Sequence, residues 1–316
     1  MKVAQGAAFR PGTFQNLKSQ LKAYSLFCVT YRYKLFPCTS QKLCEYVCFL
    51  SSSFNSFSSV KNYLSGVKTW SHILNFNIEA FSSSELKLTL RGLNNCNKHV
   101  PRSKLPLLPV HLMKIVQLLD IYDLLDACLW SFMTMAFFGM LRASNLISRT
   151  PYCFNPTEQL IRRCVIFTKE GMLLHLLWSK TRQGHDYIHE IPMCRSSEPL
   201  LCPVKAYCHF ISFVPGEGDN PVFAVPVKGK LEPVSIHALL KRFREMLLLI
   251  DLDPASYSFH SLRHGGATLA VKAGVPEVLL KHHGDWRSDC YQPYVKQASV
   301  GLCKVTRAID NFIVTH

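Results

Sequence analysis

The apolar residues of the first ninety positions recur three and four apart, a spacing that admits helices and little else. Leu17, Leu21, Tyr24 and Phe27 form one row behind Thr13. Leu43, Val47 and Leu50 form a second behind Thr39 or Ser40. Val60, Tyr63, Leu64, Val67 and Trp70 form a third after the Ser-rich turn Ser51 to Ser59. Such positions share one helix face, and the Thr and Ser residues ahead of them can accept the unpaired N–H groups of a first turn. Three or four short helices of this kind close a small bundle.

The pattern stops at Asn94 to Pro109, where Asn and Pro replace apolar residues, so the chain is expected to divide into a helical domain over 1–95, an exposed linker over 96–108 and a second domain over 109–316. The second domain mixes periods. Helical stretches are expected from Pro109 to Leu119 and from Leu124 to Phe138, ended by Gly139. Strand-like runs follow at Cys164 to Thr168, Gly171 to Trp178 and Tyr187 to Ile191. Helices return at Ser235 to Ile250, His260 to Ala273 and Gln297 to Phe312. The expected fold is mainly α with a small antiparallel β-sheet, an α+β architecture.

Charge narrows the partners. The 316 residues carry a net +15, and the first 100 hold 12 Lys and Arg against 3 Asp and Glu, so the smaller domain is the more basic. Such an excess calls for a polyanion. The apolar run Ala127 to Leu141 falls short of a membrane span and reads as a buried core helix. Thirteen cysteines, an odd number without a Cys-x-x-Cys pair or a leader-like start, point to reduced thiols in an intracellular protein and to no metal site.

Reactive side chains concentrate in FHSLRHGGAT (Phe259 to Thr268) and HHGDWRSDCYQPYV (His282 to Val295). On a helix His260 and Arg263 share a face, and an imidazole beside a guanidinium fork can grip a phosphate and move a proton near neutral pH. Gly265, Gly266 and Ala267 leave room for another backbone or for DNA. His185 and His189 fall on one face of a strand and read as surface or groove residues. Lys241, Arg242 and Arg244 are either a solvated helix face or phosphate contacts.

These boxes resemble the tyrosine recombinases, the phage integrase and Xer family. GMLRASNL (Gly139 to Leu146) resembles the family's first-arginine motif. LLWSKTRQGHDYIHEIP (Leu176 to Pro192) resembles the β-hairpin that delivers a catalytic lysine, and Gly284 stands ten residues before Tyr294. The resemblance implies a core-binding, SAM-like bundle followed by a catalytic domain, closing together as a clamp on duplex DNA. It further implies Arg142 and Arg263 as phosphate clamps, His260 and Trp286 as further donors, Lys180 as the acid for the leaving 5′ oxygen and Tyr294 as the nucleophile. Tyr291 is the competing nucleophile, separated from Tyr294 by Pro293. Within the family, Gly-Asp-Trp-x-Ser-Asp is closest in pattern to recombinases of eukaryotic DIRS and Ngaro-like retroelements.

Two positions depart from the family pattern. Asn145 replaces a Glu, which removes a charge beside Arg142 and loosens its positioning. Asp285 stands where a His or Trp follows the glycine; a carboxylate facing a phosphate repels it, so Trp286, one step on, is taken as the donor, with His283 as another candidate. Asp285 is expected to orient His282, His283 or an arginine. The implied activity is site-specific DNA recombination through a 3′-phosphotyrosyl link, which keeps the ester energy and needs neither ATP nor metal. No cofactor is implied, and the partners implied are double-stranded DNA and three further copies of the chain in a tetramer, not a membrane. The location would be nuclear for a eukaryotic mobile element, otherwise cytoplasmic. The alternatives are a recombinase-derived DNA-binding protein without activity and a type IB topoisomerase-like enzyme.

Overall fold

The computed structural model describes residues 9, 11–97, 104–178 and 188–286. Contacts divide the chain into two compact units, Met1–Arg102 and Ser103–His316.

The first unit is all helical: α1 (Pro11–Thr30), α2 (Ser40–Ser53), α3 (Phe57–Ile73) and α4 (Ser84–Cys96). Thr39 caps α2, its hydroxyl accepting from Lys42 N at 3.3 Å, whereas α1 begins ahead of the expected cap Thr13. The apolar rows meet in one core of Tyr24, Phe27, Leu43, Tyr46, Val47, Val60, Val67 and Leu86. One cation is taken out of the basic surface: Lys42 is 3% exposed, and its Nζ donates to Pro37 O at 2.6 Å, Lys34 O at 2.9 Å and Leu35 O at 3.4 Å. Three carbonyls of the turn before α2 thus share one ammonium group. Lys42→Met, which keeps the volume and strands those acceptors, should cost about 1–3 kcal/mol. A thermal melt showing no loss would show that the ammonium holds nothing together.

The second unit is built around α6 (Leu124–Phe138), whose residues from Asp126 to Phe137 are all buried. A helix apolar on every side must lie inside, as expected for this run. Around it stand α5 (Pro109–Leu118), the single turn α7 (Ala143–Leu146), α8 (Pro203–Phe213), α9 (Ile236–Leu249), α10 (His260–Lys272) and α11 (Glu277–His283). A three-stranded antiparallel sheet runs β1 (Val165–Phe167), β2 (Gly171–Leu176) and β3 (His189–Cys194), with Leu174 opposite Val165 and Ile191. A separate hairpin pairs β4 (Ala224–Val227) with β5 (Lys230–Pro233). The fold is mainly helical with small antiparallel sheets, and among the described residues no helix is long and apolar enough to cross a membrane.

Several expectations need correction. The stretch 96–108 is not an exposed linker throughout. Helix α4 runs to Cys96, and Leu107 is wholly buried in the second unit, its N–H bonded to Ser261 O at 2.9 Å. Asp126, buried within α6, takes Arg242 on both oxygens at 2.6 and 2.7 Å, so Arg242 ties α9 to the core helix and is not free for phosphate. His189 is 1% exposed, because the alternation of β3 puts it on the inner face with Ile191 and Met193. His185 and the segment Gln297 to Phe312 lie outside the described residues.

The small residues of α10 admit protein backbone. A Cβ on Gly265 would overlap Leu107 O, and one on Gly266 would overlap Phe137 O. This draws α10 against the end of α6, where the first-arginine turn begins. Gly266→Ala should therefore destabilise the second unit by about 1–3 kcal/mol or more, because the obstacle is main chain and cannot swing aside. Denaturant unfolding measures it; an unchanged midpoint would mean that the two helices are not in this contact.

Candidate active site

Helix α6 ends at Gly139, and Met140 then takes a left-handed conformation (φ 48°), a sharp reversal that leaves Arg142 at the head of α7. The Arg142 side chain is 20% exposed, and its Nη1 donates to Asp285 Oδ2 at 3.3 Å. Asn145, 2% exposed, donates its side-chain amide to Trp178 O at 3.2 Å. A Glu at this position could not make that bond, since a carboxylate only accepts. Asn145 therefore ties the arginine turn to the end of the strand segment that leads toward Lys180.

Arg263 comes from the interior of α10 and is 2% exposed. It donates from Nη1 to Met140 O and from Nη2 to Gly284 O at 2.6 Å, while its guanidinium lies 4.2 Å from the Trp286 ring centroid. One side chain thus joins the turn carrying Arg142 to the end of α11. The two arginines border a single cavity with Asn145, Gly284 and Asp285, about 10 Å³ in volume, room for about one water.

His260 opens α10 and remains exposed, with its ring 4.4 Å from that of His264 in a T-shaped contact. His264 in turn donates from Nδ1 to Lys104 O at 3.2 Å. Partial withdrawal from water, then His264, Arg263 and Arg142, push the His260 pKa down to about 4. The imidazole is therefore neutral at pH 7, where one of its ordinary pKa would be about a quarter protonated. Its neighbours shift the same way. Burial lowers His264, opposed by Lys104 O, and burial lowers His283, whose Nε2 donates to Phe138 O at 2.8 Å.

These shifts set the acid response. Histidines held neutral in the folded chain gain protons in the unfolded chain as pH falls through about 6.5, so stability is full above that value and declines below it. For His260 the decline ends near its folded value of about 4. The melting temperature should fall steadily from pH 7 to pH 5, and less steeply in His283→Gln, whose amide can still donate to Phe138 O. A flat profile over that window would contradict the assignment.

Of the residues singled out in the sequence, Arg142, Arg263, Asp285 and Gly284 meet around one cavity, and Trp286 lies against Arg263 with its ring face. Lys180, Tyr291 and Tyr294 lie outside the described residues. Asp285 pairs with an arginine, one of the partners expected for it, and that arginine is Arg142, 143 residues away; His264 is an addition, visible only as a His four residues after His260. Among the described residues no group of three or more His, Cys, Asp or Glu is placed to hold a metal ion.

This architecture is the tyrosine recombinase fold. A XerH site-specific recombinase bound to palindromic difH substrate, in a post-cleavage complex, superposes with a TM-score of 0.60 at 16% identity over 90% of this chain and 78% of that one. The Tn1549 transposon integrase with transposon right end DNA gives 0.58 at 13% identity over 96% of both chains. A lambda integrase dimer bound to a COC′ core site gives 0.57 at 16% identity, over 93% and 92%. No protein-family model and no curated protein sequence matches the chain.

Proposed function

We propose that the protein is a site-specific DNA recombinase or integrase that cuts and rejoins strands through a 3′-phosphotyrosyl intermediate. The observation that carries this reading is the meeting of Arg142 and Arg263, from elements far apart in sequence, at one cavity, with both arginines acting on the charge of His260. Two guanidiniums aimed at one phosphodiester would stabilise the charge that builds on its non-bridging oxygens, which is where fixed donors lower a barrier most. A phenol with its usual pKa near 10 attacks only a phosphate so polarised. Tyr294 would supply that phenol, and Lys180 would protonate the departing 5′ oxygen. Neutral His260 would accept or relay the phenolic proton. Trp286 would hold Arg263 in place through its ring. Because the phosphotyrosyl ester keeps the bond energy, rejoining to another strand needs no cofactor.

The basic first unit would hold duplex DNA through its backbone, with affinity falling steeply as salt rises. Recombination between two sites would require a tetramer. The Gly-Asp-Trp-x-Ser-Asp sequence supports a DIRS or Ngaro-like element as the source, and with it a nuclear location.

A duplex nicked close to the cleavage position tests this, since loss of the short fragment traps the intermediate. The expected result is a denaturant-resistant protein–DNA species joined to the 3′ side. No such species with any duplex offered would favour a recombinase-derived DNA binder, a reading supported by the carboxylate that occupies Arg142. Relaxation of plasmid with no dependence on site would instead favour the topoisomerase-like alternative.

A further inference from the structure

The cavity shared by the two arginines measures about 10 Å³, the space of one oxygen atom and not of a whole phosphate group. Arg142, Arg263, Asn145 and Asp285 are the polar side chains that border it with His283, and Leu176 and Ile191 add apolar wall. Arg263 and Asn145 are each 2% exposed, whereas the Arg142 side chain is 20% exposed and marks the side from which a ligand arrives. Polar groups enclosed in this way act on one another through little water, so each counts for more than it would at a surface.

Charge in so small a space is easily summed. Two guanidiniums and one carboxylate leave one positive charge, which one phosphodiester matches; His283 adds none at neutral pH, because burial lowers its pKa. A second carboxylate at position 145 would bring the sum to zero and set two repelling groups against any phosphate. An amide stands there instead. It also has a direction: Trp178 O can only accept, so the end of the Asn145 side chain that meets it at 3.2 Å is the nitrogen. That nitrogen carries two hydrogens. One goes to Trp178 O, and the other meets no acceptor among the described residues. The main chain of Asn145 is held as firmly, its N–H on Arg142 O at 2.9 Å and its carbonyl accepting from Leu160 N at 2.8 Å. A donor without charge is thus fixed at the cavity wall.

We propose that Asn145 is a substrate-binding residue whose second amide hydrogen, together with Arg142 and Arg263, makes a socket for one non-bridging oxygen of a phosphodiester. The inference rests on the reading of the two arginines as a phosphate clamp. What it adds is orientation: two cations attract a phosphate, and a third fixed donor of another geometry sets which way its oxygens point when charge builds on them.

Inorganic phosphate is the probe, titrated at low salt into the full chain isotope-labelled at its asparagine side chains, with binding followed by calorimetry and the amide protons by magnetic resonance. Asn145→Leu is close in size and Asn145→Asp close in shape, and the pair of amide signals that either variant lacks belongs to Asn145. In the parent one signal of that pair should move downfield as phosphate binds, while its partner, held by Trp178 O, moves little. Asn145→Leu should bind phosphate about tenfold more weakly, and Asn145→Asp more weakly still. A residue that only held the arginine turn in place would also weaken binding when replaced, yet its amide signals would stay where they are. Unmoved signals at saturating phosphate, a parent that binds no phosphate, or parental affinity in folded Asn145→Leu would each overturn the proposal. The outcome is separable from strand cleavage. A moving amide in a protein that forms no covalent DNA species leaves the socket standing and sinks the recombinase reading, while a covalent species with an unmoved amide does the reverse.

Discussion

Replacing Arg263 by alanine should lower strand cleavage by about three orders of magnitude or more, with binding of duplex DNA changed only a few-fold. Loss of one fixed donor from a site where charge develops costs about 10²–10³ in rate, and this side chain does more than donate. It spans Met140 O and Gly284 O and lies against Trp286, so its removal also frees the turn that presents Arg142. Arg263→Lys separates charge from geometry: an ammonium keeps the charge but has no planar fork to reach two carbonyls while lying flat on an indole. It should recover less than tenfold of the loss. Both variants strand buried carbonyls and should melt at lower temperature, so rates are compared well below either transition, with bound duplex measured in the same samples. Cleavage within tenfold of the parent in Arg263→Ala would remove Arg263 from the chemistry and leave it as a structural tie.

How much of this could be read from the sequence follows from the range of the interactions involved. The rows of α1, α2 and α3 were legible because each buries one face at helical spacing, and α6 because it is apolar throughout. The strand-like runs Cys164 to Thr168 and Gly171 to Trp178 announced β1 and β2. Helix α11 gave no such sign: Val278 and Leu279 are exposed and only Leu280 is buried, so no apolar face repeats. The segment before α5 looked like solvent-exposed chain, since the bonds of Leu105 N to Ser256 O and Leu107 N to Ser261 O link residues distant in sequence. His189 betrayed nothing of its burial because strand alternation fixes a face only once register is known. The site divides the same way. Arg142, His260 and Arg263 stood out as residue types in short boxes, whereas the neutral state of His260 arises first from burial and then from three neighbours, of which only His264 and Arg263 are local.

Tyr294→Phe should abolish the covalent protein–DNA species entirely, while Tyr291→Phe should leave it at a level near that of the parent. The argument is chemical. In the proposed mechanism a phenylalanine keeps the ring and removes only the oxygen that would form the new ester, so nothing would remain to be attached. The two tyrosines are three residues apart with Pro293 between them. Proline fixes its own φ and restrains the residue before it, so the two hydroxyls are not expected to exchange roles. The pair of variants therefore reports which oxygen faces the phosphate held by Arg142 and Arg263. Adduct surviving in Tyr294→Phe and lost in Tyr291→Phe would reverse the assignment without disturbing the clamp, and adduct surviving in the double variant would require a different nucleophile.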